Sequence, residues 1–174
     1  TGSLVISIDA MGGDHGPSVT VPGVALAAAR SGEGVRFLLH GDSARIEAEL
    51  ARRADLRGRV EVRHSDSVVA MDEKPAQALR RSRGSSMWNA VESVKAGEAH
   101  AAISAGNTGA LMAISKLQLR MSVDIERPPL VASWPTVTGH TTVLDVGANV
   151  DCDAHRLVEF AILGEAFHRA AHGV

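Results

Sequence analysis

The sequence predicts an α/β fold: a three-layer, doubly wound, mainly parallel sheet with an antiparallel hairpin. Three observations predict it. Short apolar runs alternate with stretches of helical period, as in βαβ units with helices on both faces. Three of those runs exit into loops of Gly, Asn, Asp and Ser immediately before a helical stretch. One interval, "LVASWPTVTGHTTVLDV" (130–146), holds two strand-like runs joined by a Thr/Gly turn with no helix between them, which reads as a hairpin.

The first strand is "LVISID" (4–9). Its exit, "DAMGGDHGP" (9–17), is longer than a tight turn needs: Gly12 and Gly13 open backbone angles closed to other residues, and Pro17 suits the first turn of a helix over 17–31. A second strand, "VRFLLH" (35–40), leads to a helix over 43–54 that Asp42 or Ser43 can cap. "VEVRH" (60–64) is the third strand, followed by helices over 74–82 and 85–96. In the latter, Met87, Ala90, Val91 and Val94 share one face at helical spacing. "HAAISA" (100–105) is the fourth strand and 107–120 the next helix. "LVASW" (130–134) and "TTVLDV" (141–146) form the hairpin, and a last helix covers 154–172. That helix is apolar on most sides, through Leu157, Val158, Phe160, Ala161, Ile162, Leu163 and Phe167, so a partner subunit or a further segment is expected to cover it.

At 174 residues the chain is long enough for one domain with a substantial core. A formal net charge of −2 argues against general nucleic-acid binding, and 3% aromatics with no tyrosine argue against base-stacking platforms. One cysteine, Cys152, excludes an internal disulfide and fits a reducing compartment. No apolar stretch approaches bilayer length and the start lacks a secretory-signal pattern, so a soluble cytoplasmic protein is expected. The opening "TGS" reads as an added or trimmed start.

Open α/β sheets bind ligands outside the carboxyl ends of their strands. Three loops are expected on that edge: "DAMGGDHGP", "SAGNTGA" (104–110) and "DVGANVDCD" (145–153). Each puts free N–H groups beside a positive helix end, which suits a small anion. In "KPAQALRRSRGSSM" (74–87), Lys74, Arg80, Arg81 and Arg83 precede a helix start with two hydroxyls. That segment is either a phosphate-binding cluster or a solvated basic face. His15 stands in the first loop as an acid, a phosphate contact or an exposed side chain. Cys152 near a helix start reads first as a buried inert thiol, and as a nucleophile only secondarily. His168 and His172 at i, i+4 read as a surface pair rather than metal ligands. "GGDHG" lacks dinucleotide-fingerprint spacing, and no cofactor motif is read.

Taken together, "DAMGGDHGP", "KPAQALRRSRGSSM", "SAGNTGALM", "ERPPL" and "VLDVGANVDC", in that order and spacing, closely resemble the bacterial phosphate acyltransferase (PlsX) family over nearly the whole chain. The resemblance implies a fold similar to isocitrate and isopropylmalate dehydrogenases. It also implies conversion of acyl-[acyl-carrier protein] and inorganic phosphate to acyl phosphate, in phospholipid synthesis. It implies a homodimer, with peripheral membrane association and a downstream glycerol-3-phosphate acyltransferase as further partners. Family members continue well beyond the last helix, so residues 1–174 are expected to be an N-terminal portion, with the C-terminal half absent.

On that reading Ser104, Gly106, Asn107, Thr108, Ser85 and Ser86 contact phosphate or the oxyanion, with Gly12, Gly13, Gly109 and Gly147 shaping the substrate site. Lys74 and Arg83 neutralise charge, and Asp9, Asp14, Asn149 and Asp151 orient groups or act as acid or base. The alternatives are a phosphate acetyl- or butyryltransferase using coenzyme A thioesters, a dehydrogenase of the related fold, and a non-catalytic module that binds acyl carrier protein.

Overall fold

The structure, a computed structural model, describes residues 3–121, 125, 127–149 and 151–173. Thr1 and Gly2 of "TGS", Glu126 of "ERPPL" and Val150 of the third loop lie outside the described residues. The chain divides into two compact units, Thr1–Arg120 and Met121–Val174.

The first unit contains β1 (Leu4–Asp9), α1 (Pro17–Ser31), β2 (Val35–Gly41), α2 (Ser43–Leu50), β3 (Val60–His64), α3 (Pro75–Arg81), α4 (Ser86–Lys95), β4 (Ala101–Ser104) and α5 (Thr108–Leu119). Its four strands are all parallel, in the order β3-β2-β1-β4. Alternation along the strands sorts the core into two layers. Ile8, Phe37 and Leu39 pack with Val21, Val24 and Ala25 of α1 and Ile46 of α2. On the other side, Met87, Trp88 and Val91 of α4 pack with Ala110 and Ile114 of α5, Ala78 of α3 and the half-buried Ala102 of β4. The helical face read for α4 holds at Met87, Ala90 and Val91, which are buried, while Val94 is half-buried.

Asp42, not Ser43, caps α2, accepting the Ala44 and Arg45 amides at 3.0 and 3.3 Å. This helix stops at Leu50 rather than at 54. Beyond it the bonds tighten, with Arg52 N–H to Glu49 and Arg53 N–H to Leu50, and the chain enters a 3-10 turn at Ala54–Leu56.

The second unit contains β5 (Val131–Thr136), β6 (Gly139–Leu144) and α6 (Ala154–His172). The hairpin is antiparallel as expected, but its strands pair only with each other, so it forms a separate two-stranded sheet. It also turns later than the sequence suggests, because β5 continues through Pro135. With two strands, each has an outward edge, and a residue without an N–H is tolerated there. On α6 Phe160 is buried, whereas Leu157, Val158, Ile162 and Phe167 are exposed. Among the described residues no helix is long and apolar enough to cross a membrane.

Candidate functional site

At the carboxyl ends of β1 and β4 two strand exits meet. Asp9, 1% exposed, ends β1; its Oδ1 accepts the Met11 amide at 3.3 Å and its Oδ2 the Ser104 hydroxyl at 2.7 Å. Ser104 Oγ in turn accepts the Gly106 amide at 3.0 Å. The parallel register places Asp9 beside Ser104, so the pair follows from strand pairing. With donors at both oxygens, the Asp9 carboxylate orders two loops.

The close approach explains the glycines. A Cβ at Gly12 would lie 2.8 Å from both Asp9 Oδ2 and the Gly106 nitrogen, and one at Gly106 would lie 2.8 Å from Met87 Cε. Gly13 sits against Ala105 with φ +82°. Thr20, one turn into α1, ties the far side of the first loop by sharing its hydroxyl between the Ala10 and Gly16 carbonyls, at 2.9 and 3.2 Å. Asp14 and His15 are exposed.

Asn107 caps α5. Its Oδ1 accepts the Ala110 amide at 3.0 Å, and its Nδ2 faces the carbonyls of Ala70, Met71 and Glu73 at 3.2, 3.1 and 2.7 Å. The cap thus also clasps the segment leading into α3. A Cβ at Gly109 would come 2.7 Å from Pro75 Cγ, so the start of α3, with the exposed Lys74 just before it, lies against the start of α5. The Thr108 and Gly109 amides, first in α5, have no carbonyl one turn back, and the helix end concentrates positive potential there.

The "GSS" serines are buried, at 1% and 0% exposed. Ser85 caps α4 by accepting the Trp88 amide at 3.2 Å, while the Ser86 hydroxyl has no partner among the described residues. Arg83 is exposed and lies over the Trp88 ring, 5.8 Å from its centroid.

The third loop departs from expectation. It follows β6 and belongs to the second unit, so it is not an exit of the parallel sheet. Asp145 organises it: Oδ1 accepts the Leu130 amide at 2.8 Å, and Oδ2 accepts both the backbone N–H and the side-chain amide of Asn149. Burial pushes the Asp145 carboxyl up, but the bonds from Leu130, Asn149 and Ala148 outweigh it and hold the carboxyl below its usual range. Gly147, at φ +116°, and Asp151 are exposed; Cys152 is half-buried.

Two sets of histidine partners escaped sequence reading. His40, 2% exposed on β2, meets the Ser93 hydroxyl at 3.2 Å, and burial with the nearby Arg63 pushes its imidazole down to about 4. A lone His inside an apolar run gave no sign of that partner. His168 and His172 are not a free surface pair: their rings reach Thr142 Oγ1 at 2.8 Å and Ser133 Oγ at 3.2 Å. Among the described residues no three His, Cys, Asp or Glu side chains form a group able to hold a metal ion.

A family model described as fatty acid synthesis protein matches residues 4–174. The chain is 72% identical over 174 residues to a phosphate acyltransferase of Phenylobacterium zucineum, covering 100% of this chain and 49% of the relative. To a phosphate acyltransferase of Caulobacter vibrioides it is 67% identical over 171 residues, covering 98% and 47%. To that of Maricaulis maris it is 56% identical over 169 residues, covering 97% and 48%. The chain thus spans about half the length of these curated relatives.

Proposed function

From the premise that the chain belongs to the fatty acid synthesis protein family, we propose that the strand exits at Asp9 and Ser104 form the phosphate-holding part of a phosphate acyltransferase centre. The reaction joins inorganic phosphate to an acyl group delivered as a thioester on acyl carrier protein. A phosphate oxygen attacks the thioester carbonyl, the C–O bond forms, the C–S bond breaks, and the thiol leaves with a proton.

The observation that carries this reading is the backbone-to-backbone packing of Gly12 on Gly106 at the start of α5. It fixes two loops without side-chain bulk and leaves the Thr108 and Gly109 amides directed outward from a helix end. Fixed amides can hold phosphate and the oxyanion that develops on the carbonyl without reorganising during the reaction. Ser104, oriented by Asp9, and Thr108 add hydroxyls; Lys74 supplies charge beside α5, and Arg83 supplies more from the α4 side. Asn107 acts by holding the Lys74 segment in place. Gly13 and Gly109 allow the close packing, and Ser85 and Ser86 set the start of α4. Asp14, exposed in the first loop, is assigned to substrate orientation or proton transfer.

The same reading takes an acidic carrier protein onto the exposed Arg80, Arg81 and Arg83. It has the protein act in the cytoplasm as a homodimer with peripheral membrane contact, passing acyl phosphate to a glycerol-3-phosphate acyltransferase in phospholipid synthesis. The test is hydroxylamine trapping of acyl phosphate, using the 174-residue chain and a phosphate acyltransferase of full relative length. Phosphate-dependent hydroxamate from acyl-carrier protein, lost in Ser104→Ala of the longer chain, supports the reading. Preference for coenzyme A thioesters, or full activity in Ser104→Ala, contradicts it.

A further inference from the structure

The end of α6 meets the hairpin through histidines. The rings of His140 on β6 and His172 on α6 stack, with centroids 4.9 Å apart and planes within 13°. His168, one turn before His172, lies 4.7 Å from it. Each helix histidine also reaches a hairpin hydroxyl: His168 Nδ1 meets Thr142 Oγ1 at 2.8 Å and His172 Nε2 meets Ser133 Oγ at 3.2 Å. Both are half-buried.

Among the described residues, two charged groups line the groove beside His140 and His168. From α6 come Glu165 and Arg169, which pair with each other at 2.7 Å. The hairpin, residues 131–144, contains no Asp, Glu, Lys or Arg, and His140 is its one titratable side chain. Neutral imidazoles stack and hydrogen-bond without a counter-ion. Imidazoliums at these separations repel one another, and the hairpin offers hydroxyls instead of a carboxylate to absorb the charge.

We propose that His140, His168 and His172 form an acid-released latch, which docks the end of α6 on the hairpin at neutral pH and lets it go as the imidazoles gain protons. Consistent with this geometry, desolvation, followed by the charges of His168 and His140, lowers the affinity of His172 for a proton. The sign follows from linkage: a histidine harder to protonate when docked favours docking above its ordinary range and opposes it below. Release would widen the open groove of about 720 Å³ between β6 and α6, which His140 and His168 line together with Leu144, Leu157, Phe160 and Gly164.

The test combines histidine ring NMR titration with hydrogen exchange of the intact 174-residue chain between pH 7.5 and 5.5, corrected for intrinsic exchange. The expected result is a His172 midpoint below the ordinary histidine value and at least tenfold loss of protection at the end of α6, with β1–β4 unchanged. His172→Gln, which keeps a hydrogen-bonding group near Ser133 but cannot become charged, should remove the pH dependence. His140→Gln should weaken it and raise the His172 midpoint. Ordinary midpoints with constant protection would overturn the latch. So would pH dependence that survives in His172→Gln, or protection lost uniformly through the sheet and α6 together.

Discussion

Replacing Asn107 separates its two tasks, capping α5 and clasping residues 70–73. Its side chain, 9% exposed, accepts one amide and faces three carbonyls. Asn107→Ala removes the cap, at about 1 kcal/mol. It also strips the donors from partly buried carbonyls, at about 0.5–1.5 kcal/mol for each of the two N–H groups. The expected loss is therefore about 2–4 kcal/mol, read by urea denaturation at pH 7. Asn107→Asp keeps an oxygen for the Ala110 amide but turns a carboxylate toward those carbonyls. It should be destabilised at pH 7 and recover partly as pH falls through the carboxylate range, because a protonated carboxyl can donate to one of them. The proposed site also predicts that added phosphate raises the melting temperature, and this protection should fall in both variants through displacement of Lys74. A loss under about 0.5 kcal/mol in Asn107→Ala, or an Asn107→Asp stability curve parallel to wild type through that range, would refute the clasp.

Three further outcomes follow from the same geometry. His40 has a proton affinity lowered to about 4 from its ordinary 6.5, so its contribution is complete above about pH 6.5 and is lost as pH falls toward 4. The wild-type chain should lose up to about 3 kcal/mol more than His40→Gln over that window in denaturant titrations, and equal losses would reject the assignment. Gly12→Ala should be destabilised by about 1–3 kcal/mol through overpacking, whereas Gly23→Ala, in open space inside α1, should gain about 0.5–1 kcal/mol; thermal melts that rank the two the other way would contradict the packing argument. Charge reversal at Arg80, Arg81 and Arg83 should weaken binding of acyl carrier protein, with wild-type affinity falling as salt rises; unchanged calorimetric affinity in the triple variant would reject that surface.

Much of the fold was legible because its signals are local. The helix over 17–31 follows from Pro17 at its start and that over 154–172 from its apolar pattern; the structure adds the cap of the latter, Asp153, which accepts the Arg156 amide at 2.8 Å. The hairpin was legible for the same reason, but its sheet was not: which strands share a ladder depends on long-range pairing that no short window records. That is why the sequence assigns the loop at 145–153 to the edge of the parallel sheet, whereas it follows β6 of the separate hairpin. Glycine density marked the approach of Gly12 to Gly106 without naming the contact. The roles of Asn107 and Asp145 were hidden because their partners, the carbonyls of Ala70, Met71 and Glu73 and the amide of Leu130, are backbone atoms, and any residue type supplies those. His40 and the histidine latch were obscured similarly, since Ser93, Ser133 and Thr142 are far away in sequence.

Amide NMR during a phosphate titration, with sulfate and chloride at matched ionic strength as controls, tests the central claim most directly. The account predicts saturable shifts concentrated at Gly13, Gly106, Thr108 and Gly109, and reduced affinity in Lys74→Ala. Shifts confined to Arg80, Arg81 and Arg83, or shifts that chloride reproduces, would contradict a phosphate site at the start of α5.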